Sequence, residues 1–177
     1  MNRLRLLFPA LAAGLSIVSF ACFAQDKPAG IDPEHMKAAF PEAWEGYERS
    51  PPEYEASTPP IGQIGKSSAR FRDVRGGTNF FEVELEITDL GIPGGKMYQD
   101  YGADYLKAQI ENDTQKSVTV KGLPGLMTRT GEDHMMIDTF VAPRLHVGAF
   151  CLKAQPAGCL AAIERFDFDR LKALANE

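Results

Sequence analysis

Phe81, Val83, Leu85 and Ile87 alternate with Glu82, Glu84, Glu86 and Thr88. This two-residue period predicts a strand over residues 79–88 with one face buried and the other in water. Residues 67–74 read as its partner, because Arg75, Gly76, Gly77 and Thr78 between them are a hairpin signal. Four more strands are predicted at residues 116–121, 126–130, 134–142 and 144–152, divided by glycine-rich turns and by Pro143. Helical patterns lie between and beyond these runs. Asp32, Pro33 and Glu34 supply a cap oxygen, a first-position proline and a first-turn acid for a short helix that must stop before Pro41. Residues 96–112 read as a longer helix, and residues 158–166 as another, followed by a last apolar turn through Leu171 and Leu174 with Asp167 or Asp169 as its cap. Residues 48–65 carry Pro51, Pro52, Pro59 and Pro60 and are expected to be an extended loop.

Strands gathered between helices by tight connections predict an α+β domain: an antiparallel sheet of about six strands with helices packed on it, one helix inserted mid-chain. The inserted helix is apolar on two flanks. At ~100° per residue, Tyr98, Tyr101 and Tyr105 fall near Met97 and Ala108, whereas Ala103, Leu106 and Ile110 fall on the far side. One flank suffices for a sheet, so the tyrosines are expected either to pack under the proline-rich loop or to meet a ligand or partner.

The start of the chain changes the setting. Arg3 and Arg5 precede an apolar run broken by Pro9 and Gly14, and Cys22 and Ala24 stand at the −3 and −1 positions of a cleavage site. This is the pattern of a secretory signal peptide over residues 1–24, and the run is shorter than the ~20 apolar residues a spanning helix needs. Residues 25–177 are then expected to form one domain, of which 25–65 is largely loop with a short N-terminal helix, in a periplasmic location. An alternative reading takes Ser19, Phe20, Ala21 and Cys22 as a degenerate lipobox, which makes Cys22 a lipid-bearing first residue tethered to the envelope. Without residues 1–24 the chain carries 17 Lys and Arg against 24 Asp and Glu. That acidic balance disfavours nucleic acid as a partner. Cys151 and Cys159 are then the remaining thiols, and in an oxidising compartment a disulfide between them is the expected state.

Candidate chemistry is sparse. The histidines are His35, His134 and His146, and no nucleophile elbow, metalloprotease helix or phosphate loop accompanies them. No catalytic residue is nominated and no cofactor is expected. Ser67 and Ser68 lack a flanking elbow, and His146 lies on one strand face with Phe150 and Leu152, where a structural role is expected. His134, Met135 and Met136, with Met127 nearby, are a weak candidate metal set, since imidazole and thioether suit copper. Met135 and Met136 must, however, point to opposite faces of a strand.

Trp44, Gly46 and Tyr47 after Pro41, the strand end Ile87, Thr88, Asp89, Leu90, Gly91, the turn Val120, Lys121, Gly122, Leu123, Pro124, and the close through Asp167, Asp169 and Leu171 together resemble a loosely defined group of small exported bacterial proteins of unknown function. At fold level the arrangement is similar to the Mog1/PsbP type of sandwich. The resemblance implies a fold and carries over no catalytic residue. The functional expectation is a non-enzymatic periplasmic or envelope-associated binding domain for a protein or small ligand, with Tyr98, Tyr101 and Tyr105 as its surface. Copper or small-ligand binding is the alternative, and a hydrolase comes after both.

Overall fold

A computed structural model describes residues 30–57, 64–75, 82–91 and 111–177. Among these, the elements run α1 (Pro33–Lys37), β1 (Tyr47–Arg49), β2 (Glu53–Ser57), β3 (Ile64–Asp73), β4 (Glu82–Asp89), β5 (Gln115–Val120), β6 (Leu123–Arg129), β7 (His134–Val141), β8 (Leu145–Leu152), α2 (Pro156–Ile163) and α3 (Phe168–Leu174). The helix expected at residues 96–112, and with it Tyr98, Tyr101 and Tyr105, lies outside the described residues.

All eight strands join one sheet in the order β1-β3-β4-β8-β7-β6-β5, with β2 also paired to β3, and every pairing is antiparallel. The α+β class therefore holds, but the sheet has two strands more than the sequence pattern indicated. The additional ones are β1 and β2, both within or bordering the stretch expected to be loop. They are three and five residues long, too short to show a period, and they share one edge of β3 end to end. Ser50 and the proline pair Pro51 and Pro52 fall between them: the Ser50 amide donates to the Arg70 carbonyl, and the Ser50 hydroxyl accepts from the Arg70 amide. Proline and short length also blunt this edge against pairing with another chain.

The alternation in β4 appears as anticipated. Val83, Leu85, Ile87 and Asp89 are buried on one face, continuing across the sheet as Cys151, Ala149, Val147 and Leu145 of β8 and Met135, Ile137, Thr139 and Val141 of β7. The three helices among the described residues all pack against this core face. Met36 of α1 is fully buried, Phe40 meets Phe166 at 5.4 Å between ring centroids, and Phe168, Leu171 and Leu174 of α3 enter the same apolar cluster. Asp32 caps α1 by accepting from the Glu34 amide, and Asp167 caps α3 by accepting from the amides of Asp169 and Arg170. The Asp167 and Asp169 pair is thus accounted for by helix capping. No helix among the described residues is long and apolar enough to cross a membrane.

At one end of the core face, Asp89 and Arg144 form a buried ion pair, each side chain 2 % exposed. Arg144 donates from Nε to Oδ1 at 2.6 Å and from Nη2 to Oδ2 at 2.5 Å. The Ile31 amide donates to Oδ2 and the Gly91 amide to Oδ1, both at 2.9 Å, so each carboxylate oxygen takes two hydrogen bonds. The amide of Leu90 returns a bond to the Arg144 carbonyl at 3.0 Å.

Cys151 of β8 and Cys159 of α2 form a disulfide with Cα atoms 5.9 Å apart. It fixes α2 on the sheet beside Met135. Replacing both cysteines by alanine should lower the unfolding free energy, read by urea melts, by about 2.5 kcal/mol, the chain-entropy value for a loop of about nine residues.

Candidate functional site

Burial falls toward β5 at one end of the core face, although Val120 at the other end of that strand is fully buried. In the row Ala149, Ile137, Met127, Lys116, running from β8 to β5, the first two side chains are fully buried, Met127 is half-buried and Lys116 is exposed. The cause is the placement of α2, which packs on β8, β7 and β4 while β6 and β5 extend past it. What remains there is an open cleft of about 370 Å³. Val118, Met127, Met135 and Pro156 give it an apolar lining, and Asp113, Lys116 and Arg129 stand among its polar residues. Its volume lies toward the lower end of the ~300–1,000 Å³ typical of ligand pockets. Asn112 builds one wall by a side-chain turn, its Oδ1 accepting from the amides of Thr114 and Gln115 at 2.9 and 2.8 Å.

The weak metal set divides between two faces. Met135 joins Met127 at the cleft, whereas His134 and Met136 belong to the opposite face of β7, in the rows of Leu152 and Phe150. The four residues do not converge, for the reason the strand period gives. Among the described residues there is no group of three or more His, Cys, Asp or Glu side chains able to hold a metal ion.

The opposite face carries His146, whose Nε2 lies 2.8 Å from Asp138 Oδ1. Gly148 stands beside them, where an added Cβ would come within 3.4 Å of Asp138 Oδ1, and the Phe140 ring sits 5.0 Å from the imidazole. A histidine oriented by a carboxylate is half of a nucleophile-activating set. The hydroxyl residue paired with His146 in register is Thr88 of β4, whereas Thr139 and Ser67 belong to the core face and serve the backbone, donating to the Pro124 carbonyl at 2.8 Å and to the Glu53 carbonyl at 2.6 Å. On the same face as His146, Glu82, Glu84 and Glu86 each have a cationic neighbour from β3: Arg72 at 3.1 Å, Arg70 at 3.3 Å, and Lys66 in direct contact. The signal for this ladder was present in the sequence as the alternation of Lys66, Arg70 and Arg72: the two arginines stand directly opposite Glu84 and Glu82, and Lys66, opposite Thr88, reaches Glu86 diagonally.

A third cluster lies at the β1 edge. Trp44 stacks on Phe71 at 4.4 Å, Arg165 lies over the Trp44 ring at 5.4 Å, and Arg75 lies over Tyr47 at 5.3 Å. Arg75 also grips Asp73 through two bonds, 2.9 and 2.8 Å, and its stem crosses Gly46, whose φ of +82° and lack of Cβ permit the approach. The corner consists of packed aromatics and paired charges.

Compared with protein-family models, curated proteins and solved structures, the chain matches none.

The Arg75 guanidinium, by hydrogen bonding, holds the Asp73 carboxyl down at about 2, against an ordinary 3.8. Because the folded value is depressed, this bond's contribution to stability is complete above the ordinary value and is lost as pH falls through about 2. A carboxyl NMR titration should find Asp73 in that low range, and Arg75→Gln should raise it only part of the way back, because the Arg75 amide still donates to Asp73 Oδ1.

Proposed function

We propose that this chain is an exported, non-enzymatic binding domain of the bacterial envelope, and that the cleft between β5, β6, β7 and the start of α2 captures a small ligand. The observation that supports this reading most strongly is the cleft itself: an apolar floor continuous with the core, open beside the first turn of α2 and edged by polar side chains. The signal-peptide pattern of residues 1–24 and the Cys151–Cys159 bond agree with export to an oxidising compartment, where such bonds persist. Release from the leader into the periplasm, with lipidation of Cys22 as the alternative end, belongs to the same proposal. The tyrosine surface at Tyr98, Tyr101 and Tyr105 is not needed by it.

A second reading has one observation in its favour. Met127 and Met135 bring two thioethers to the same cleft, and thioethers suit cuprous ion. Amide-resolved NMR titration of the purified protein with a library of small apolar fragments, and separately with Cu(I), tests both. Fragment-induced shifts should cluster at Val118, Met127 and Met135. Shifts confined to the opposite face or to the β1 edge would overturn the cleft as the site. Copper bound at one equivalent with shifts at both methionines would favour the metal, and sub-stoichiometric copper would end that reading.

A further inference from the structure

Resting on that reading, the cleft's chemistry narrows the ligand: we infer that it takes an unbranched aliphatic carboxylate, the hydrocarbon lying on Met127, Met135 and Val118 and the carboxylate meeting Arg129. The register puts Arg129 opposite Met135 across β6 and β7, on the face that holds the apolar floor. Its amide is fixed by the Thr114 carbonyl at 2.7 Å, which anchors the backbone while the side chain stays exposed at the cleft. Lys116, the other cation there, already has a partner in Glu111 at 3.2 Å, whereas no carboxylate among the described residues pairs with Arg129.

A free guanidinium fork bordering a methionine floor matches a molecule with one anionic end and an apolar body. Methionine contributes to this choice, because its flexible thioether adapts to a chain without a fixed shape. Two features limit the ligand further. Asp113 shares the rim, so a dianion would be repelled where a monoanion is tolerated. The volume of about 370 Å³ sets an upper bound on the ligand's size.

Isothermal titration of the purified protein with octanoate and with octanol, which share a chain and differ in charge, tests the inference. Octanoate should bind, Arg129→Gln should weaken it about tenfold or more, and octanol affinity should be the same in both proteins. Met127→Gln should weaken both ligands. Since Arg129 is exposed and its backbone bond survives the change, the variant should melt like the parent. Octanoate binding that ignores Arg129→Gln, or octanol binding as tightly as octanoate, would overturn the carboxylate inference. The cleft would still stand as a binding site if Met127→Gln weakened either ligand. Failure of the parent protein to bind either compound at millimolar concentration would sink both readings.

Discussion

The sheet is held in register by one buried carboxylate. Asp89 closes β4, and four hydrogen bonds converge on it from three directions: the guanidinium of Arg144 in the β7–β8 turn, the Ile31 amide ahead of α1, and the Gly91 amide after β4. An isolated charge with this burial would be strongly unfavourable, and removal of one partner from such a pair typically costs about 3–5 kcal/mol. The pair therefore acts as a constraint. A one-residue slip of β4 would move Asp89 away from Arg144 and turn Glu82, Glu84 and Glu86 into the core.

That constraint lies at the seam of the sheet. β5 to β8 follow one another as a meander, and β1 to β3 gather beside β4, so the β4–β8 pairing is where the two halves meet. Arg144 and Asp89 clamp one end of the seam, and the Cys151–Cys159 bond fixes α2 near the other, since Val83 pairs with Cys151. With α2 held over β8, β7 and β4, the stretch of β6 and β5 at Met127 and Lys116 stays outside its cover. The cleft follows from this arrangement: the same attachment that completes the core on one side leaves Met127 and Val118 half-covered on the other.

Much of this was legible in the sequence where a single element carried its own signal. The Glu and apolar alternation of β4, the Asp32–Pro33 helix start, the Asp167 cap and the pairing of two cysteines each depend on residues close together in the chain. Long-range order was not legible. Nothing local tells β4 to pair with β8, or β1 and β2 to divide one edge of β3, because those choices are made by burial across distances of tens of residues. Asp89 and Arg144 looked like ordinary residues at the end of one strand and the start of another, being 55 positions apart. The site was hidden for a similar reason: Met127 and Met135 were noticed for their sulfur, but only the position of α2 makes their face a cleft, and Arg129 had no local feature to mark it.

The most direct measurement is a double-mutant cycle on the buried pair, read by equilibrium urea unfolding of Asp89→Asn, Arg144→Met and the two combined. If one shared interaction holds the seam, each single change lowers stability by about 3–5 kcal/mol and the double variant is no less stable than the weaker single. Single changes that each alter stability by under about 0.5 kcal/mol, or losses that simply add, would contradict the account.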